Sequence, residues 1–305
     1  MELFKKRETV TQNIAYLGIM SAVNVVAVIM MTYVLPLLFI PFVFALPLCS
    51  TVVTLFCKKR YFPIYAVATL GICMLVTLSD FTVTLFYVFP SLLTGFIFGL
   101  FLSKKLPAHL SILSASIINM GLTYLSLPLI KLIYRIDMID SIAKIFGLET
   151  FAYLDFVTPC FILILSIIQE ALTYAFIENE LPKLGINGEE VNLAFLDAPI
   201  SLTSSLLSLI CFLIKPTFFS TFAMFFMLIP LYFAVYEIWL IGNEKNFKML
   251  IVDGIITLLS LLVFAILFQY IVKPFQLITL NICFDLLILA NLVNLTLTKK
   301  RKSVE

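Results

Sequence analysis

The sequence predicts an all-α fold: a polytopic transmembrane helix bundle of about ten helices, eight if a pair of spans is lost together, with both termini cytoplasmic. Three observations predict it. Only 12% of the 305 residues are charged and 62% are apolar, roughly half the charged fraction of a soluble globular domain, so water is the wrong solvent for most of the surface. Apolar runs of about twenty residues, the length that crosses ~30 Å of hydrocarbon as a helix, follow one another with little relief. Lysine and arginine then fall in alternate connections, as the positive excess of cytoplasmic loops requires.

In chain order, the first span covers 14–33, behind Lys5, Lys6 and Arg7. No small-residue cleavage site follows it, so it reads as a retained helix rather than a secretory signal. Spans at 37–57, 62–78, 81–102 and 110–134 come next. The external connection 136–154 carries Ile139, Ile142, Ala143, Ile145 and Phe146 at mostly helical spacing, which fits either a short amphipathic helix in the interface or an ordered loop. The second set of spans covers 156–177, 199–214, 218–241, 249–272 and 275–298. Between the sixth and seventh, the turn-rich stretch around Pro182, Gly185 and Gly188, with Glu189 and Glu190, marks a soft boundary. It separates a bundle over 1–180 from additional helices over 181–305. With the N-terminus inside, 15 of the 20 Lys and Arg residues are cytoplasmic. Lys131, Arg135, Lys144, Lys215 and Lys273 lie at external ends.

Composition excludes several functions. A net charge of +2 and a single histidine, His109, leave no nucleic-acid surface and no histidine pair for a metal. No metal and no cofactor is expected. The six cysteines show no C-x-x-C spacing and read as small apolar fillers. There is no H-E-x-x-H, G-x-S-x-G or P-loop motif, so any transport would draw on an ion gradient or a separate ATPase. Asn281 and Asp285 form an N-x-x-x-D pair, a spacing used by membrane prenyltransferases, although position 289 is leucine where a further acid would be needed.

Ionisable groups within hydrocarbon are costly and mark candidate sites. Glu170, in the sixth span, shares a polar stripe with Ser166, Gln169, Thr173 and Tyr174. Asp285 lies near the middle of the tenth, one turn from Asn281. Both acids are candidate ligands for a solute, ion or proton, or else neutral carboxyls that fix helix register. Asn24 and Asn119 suit hydrogen bonding between helices, and Asn119 is also a candidate ligand. Asp80 occupies a tight external turn. Glu237 and Asp253 lie within about two turns of the cytoplasmic interface, where they are expected to reach headgroups or water. Small residues four apart allow close packing: Ser91, Gly95, Gly99 and Ser103 in the fourth span, Ser111, Ala115, Asn119 and Thr123 in the fifth, and Gly18 with Ala22 in the first.

Residues 14–22 (Ile-Ala-Tyr-Leu-Gly-Ile-Met-Ser-Ala), and 89–100 (Phe-Pro-Ser-Leu-Leu-Thr-Gly-Phe-Ile-Phe-Gly-Leu) running into Ser103-Lys104-Lys105, resemble the substrate-binding S components of energy-coupling factor vitamin importers. In length and pattern the chain is even more similar to the YybS-like group of predicted bacterial membrane proteins. The likeness covers about residues 1–180. It implies a six-helix module whose first helix docks on a transmembrane coupling protein, with its ATPases, through small residues matching Gly18 and Ala22. It also implies solute capture from outside, near the Asp80 turn and the 136–154 connection. The resulting expectation is a small-solute transporter or substrate-capture subunit in the cytoplasmic membrane, with lipid and a small-molecule solute as partners. A membrane scaffold and an intramembrane lipid-modifying enzyme are the alternatives.

Overall fold

The computed structural model describes residues 6–34, 39–78, 81–135, 137, 139–140, 154–184, 194–214, 217–243, 247–268, 281–282 and 284–293. Among them there is no strand. The α-helices are α1 (Val10–Ile29), α2 (Phe39–Phe56), α3 (Phe62–Val76), α4 (Phe89–Ser103), α5 (Ala108–Tyr134), α6 (Leu154–Ile177), α7 (Ala194–Ile214), α8 (Thr217–Asn243), α9 (Phe247–Phe268) and α10 (Phe284–Val293). Among the described residues six helical stretches are long and apolar enough to cross a membrane: Val10–Tyr33, Lys59–Val76, Thr84–Ser103, Ala108–Tyr134, Thr158–Pro182 and Phe222–Trp239. Shorter apolar helices, Leu46–Phe56 and Phe284–Val293, fall within the second and tenth expected spans, and Leu196–Cys211 overlaps the seventh, beginning three residues before it. Residues 141–153, including the predicted interfacial positions Ile142, Ala143, Ile145 and Phe146, lie outside the described residues. So does the acidic stretch at Glu189 and Glu190.

The chain forms two compact units. The first comprises 1–154 and 161–190, the second 155–160 and 191–305.

In the first unit, helix ends are set by recognisable local chemistry. Thr9 caps α1, its hydroxyl accepting from the Gln12 amide while the Gln12 side chain accepts from the Thr9 N–H, a reciprocal box that satisfies two orphan donors. Pro63 and Pro90 stand in the first turns of α3 and α4, where a missing N–H is harmless. Arg135 closes α5 in the left-handed region, at φ 56°. Two five-residue π-helical segments, Met30–Val34 after α1 and Thr84–Val88 before α4, interrupt the regular pattern.

Hydrogen bonds sort the helix ends. Arg7 N–H donates to the Phe56 carbonyl at 2.8 Å, the Lys58 N–H to Asn13 Oδ1 at 2.9 Å, and Lys59 Nζ to Ser103 Oγ at 2.9 Å. The start of α1, the end of α2, the start of α3 and the end of α4 therefore share one end of the unit, and Arg7, Lys58 and Lys59 share it with them. At the opposite end Tyr33 OH donates to the Val76 carbonyl at 2.7 Å, and the Phe81 N–H to Tyr134 OH at 2.8 Å.

α2 and α4 approach each other closely. A methyl group on Gly95 would stand 2.4 Å from the Pro47 carbonyl oxygen and 2.6 Å from Ser50 Cβ, and one on Gly99 would stand 2.7 Å from Thr54 Cβ. Thr51 Oγ1 donates across the seam to the Gly95 carbonyl at 3.1 Å. The G-x-x-x-G pair thus packs inside the unit, by the small-residue contact available where no hydrophobic force operates between helices.

α6 turns its polar side chains inward and its large apolar ones outward. Its buried side chains include Ser166, Gln169, Glu170 and Thr173, while Phe161, Ile164, Leu165, Ile168, Leu172 and Phe176 are exposed. That is the reverse of a helix facing water.

In the second unit α7 repeats this inversion. Asp197, Ser201, Ser204 and Ser208 are buried, whereas Leu202, Leu206, Leu207, Ile210 and Leu213 are exposed. Its serines form a seam with α8, Ser204 Oγ donating to the Phe226 carbonyl at 2.8 Å and Ser208 Oγ to the Ala223 carbonyl at 2.9 Å.

Candidate functional site

The polar stripe of α6 meets polar positions of α4 and α5 inside the first unit. Asn119, on α5, donates through Nδ2 to Ser166 Oγ at 3.1 Å and to Gln169 Oε1 at 2.9 Å. Gln169 Nε2 donates onward to Ser91 Oγ of α4 at 3.3 Å, and Thr173 Oγ1 donates to the Gln169 carbonyl at 3.0 Å. Ser91, Asn119 and Gln169 therefore tie three helices together. Their sequence spacing explains how: residues 166, 169, 170 and 173 recur three and four apart, which places them on one helix face.

Glu170 is fully buried on that face, and neither carboxyl oxygen has a hydrogen-bond partner among the described residues. Asn119 Oδ1 is likewise without one. A buried carboxylate with no counter-group costs several kcal/mol, so this position requires a proton, a cation or a donor. Asn24 donates through Nδ2 to Tyr65 OH at 2.8 Å, while its Oδ1, like that of Asn119, has no partner among the described residues.

The second unit holds the other expected pair. Asp285 accepts from Ser201 Oγ of α7 at 2.5 Å, while both amide atoms of the buried Asn281 lack a partner among the described residues. Glu237 and Asp253 correct the sequence reading. Their side chains are buried, at 2% and 3% exposure, rather than turned out to headgroups or water, because depth along a helix does not say which face a side chain occupies. Asp253 stands beside the amide of Asn291 without closing a hydrogen bond. Asn291, buried in α10, is a residue that sequence reasoning missed. Its position three residues past Ile288 was the available signal, since Ile288 shares a face with Asn281 and Asp285.

Asp80 lies outside the described residues. Gly18 and Ala22 are exposed on α1, with no atom within 4 Å of a methyl group placed on Gly18. An open groove on α3, lined by Val67, Gly71, Met74 and Leu75 with Phe81, is wholly apolar and brings no chemistry. Among the described residues Cys49, Cys57, Cys73, Cys160 and Cys211 are buried and form no disulfide. Among the described residues no three His, Cys, Asp or Glu side chains gather as metal ligands would. No protein-family model, curated protein or solved structure matches the chain.

Proposed function

We propose that this chain is a multi-pass protein of the cytoplasmic membrane, with about ten spans and both termini cytoplasmic, that binds a small solute at the centre formed by Ser91, Asn119, Gln169 and Glu170. In this reading it is a small-solute transporter or the capture subunit of one. The observation that carries the reading is Glu170, a fully buried acid left without a partner where its neighbours are bonded to one another. A scaffold needs no such group, because interhelical hydrogen bonds alone would hold its helices. The exposed Gly18 and Ala22 leave one face of α1 open to a transmembrane coupling protein, the partner that would bring ATPases to a chain with no P-loop.

A thermal-shift screen of the purified protein in nanodiscs against small metabolites tests the reading. At least one solute should raise the melting temperature of the wild type and leave E170Q unmoved. If no metabolite stabilises the wild type, none co-purifies with it and no ATPase is captured, the reading is wrong.

A further inference from the structure

Resting on that reading, we infer that the solute taken by the α4–α5–α6 centre is a small cation bearing N–H donors. No donor of the centre reaches the Glu170 carboxyl or the Asn119 carbonyl oxygen. Asn119 Nδ2 already serves Ser166 Oγ and Gln169 Oε1, Gln169 Nε2 is directed at Ser91 Oγ, and the Thr173 hydroxyl is engaged by the Gln169 carbonyl. The atoms left over are Asn119 Oδ1, Glu170 Oε1 and Glu170 Oε2. All three are acceptor oxygens.

They also lie close along one stretch of the bundle. Ser166 and Glu170 are one turn apart on the same face of α6, and Asn119 is bonded to Ser166. No lysine or arginine occupies α6, and the basic groups of α5, His109 and Lys131, stand ten and twelve positions from Asn119, near the helix ends. The complement of three buried oxygens, two of them from a carboxyl, is a positive charge that brings hydrogens. An anion would add like charge. A neutral polyol would bring donors but no positive charge to offset a carboxylate. A quaternary ammonium would neutralise it but leave the oxygens without donors. An ammonium or guanidinium group meets both needs, because its hydrogen bonds are charge-assisted.

The test measures melting temperature in nanodiscs at constant ionic strength, balanced with potassium chloride. The probes are millimolar methylammonium, guanidinium, tetramethylammonium, sodium, glycerol and acetate. Methylammonium or guanidinium should stabilise the wild type saturably, at least about tenfold more weakly in E170Q, as the loss of one charged hydrogen bond requires. Tetramethylammonium should do nothing. Equal stabilisation by tetramethylammonium or sodium overturns the inference, as does the absence of any cation effect. A Glu170-dependent shift with glycerol, acetate or a neutral or anionic metabolite, and none with N–H cations, overturns the inference while leaving the solute-binding reading intact. If no probe or metabolite depends on Glu170, both fall. A measurement on the wild type alone guards against misfolding of the variant. A hydrophobic carbodiimide should label Glu170, as peptide mass mapping would show, and methylammonium should protect it. Labelling at Glu170 without protection overturns the inference.

Discussion

Gly95 and Gly18 are both glycines of apolar helices, and their surroundings set opposite expectations. Gly95→Ala places a methyl group 2.4 Å from a backbone oxygen of α2, which must be relieved by moving a helix. The expected loss is about 1–3 kcal/mol, typical of overpacking, against less than about 0.5 kcal/mol for Gly18→Ala, where nothing is met. Equilibrium unfolding in mixed micelles reads both. Asp137, beyond the end of α5, makes a pH prediction. Its carboxyl is held below the usual range, chiefly by a hydrogen bond from Lys131 Nζ at 2.6 Å and with help from the Asp140 and Ile139 amides. A depressed pKa contributes stability that is complete above the unfolded value of ~3.9 and is lost as pH falls through the folded value. With the Lys131 side chain 66% exposed, the pair contributes less than about 1 kcal/mol. Amide exchange at Ile139 and Asp140, corrected for intrinsic rate, should accelerate below about pH 4, and D137N should show no such step.

Helices α6 and α7 carry the case for a lipid surround, because each turns its acids and hydroxyls inward and its leucines, isoleucines and phenylalanines outward. Substitution on the outward face separates lipid from water. Ile168 is 42% exposed, so in water Ile168→Lys would be nearly neutral. In a bilayer the same change introduces a charge near the middle of the span Thr158–Pro182, at about 2.5–3.5 kcal/mol on insertion scales. The expected outcome is a sharply reduced membrane-inserted fraction, measured by carbonate extraction and protease protection. Wild-type insertion would contradict the lipid-facing assignment.

For the molecule as a whole, the existence and approximate limits of the helices were legible in the sequence because hydropathy over twenty residues is a property of the chain itself. The G-x-x-x-G spacing at Gly95 and Gly99 also announced a close seam, although only the fold names Pro47, Ser50 and Thr54 as its other side. The candidate site was legible in part. Glu170 and Gln169 stood out as polar groups in an apolar span, and Asn119 as a bonding residue, but no spacing within one helix says that 91, 119 and 169 will meet. The same limit hid Asn291 and misplaced Asp253, since burial depends on which neighbouring helix a face turns toward. The two π-helical segments had no signature in the apolar pattern around them.

The most direct test of the account is the sidedness of its connections. Single cysteines would replace Lys59, Lys104, Asp137 and Lys302 in a background whose native cysteines are changed to serine or alanine, and would be labelled with a membrane-impermeant maleimide. The account predicts labelling at 137 in intact cells, and at 59, 104 and 302 only after permeabilisation. Labelling of 59 or 104 from outside, labelling of 302 on the same side as 137, or a soluble protein labelled at all four would contradict it.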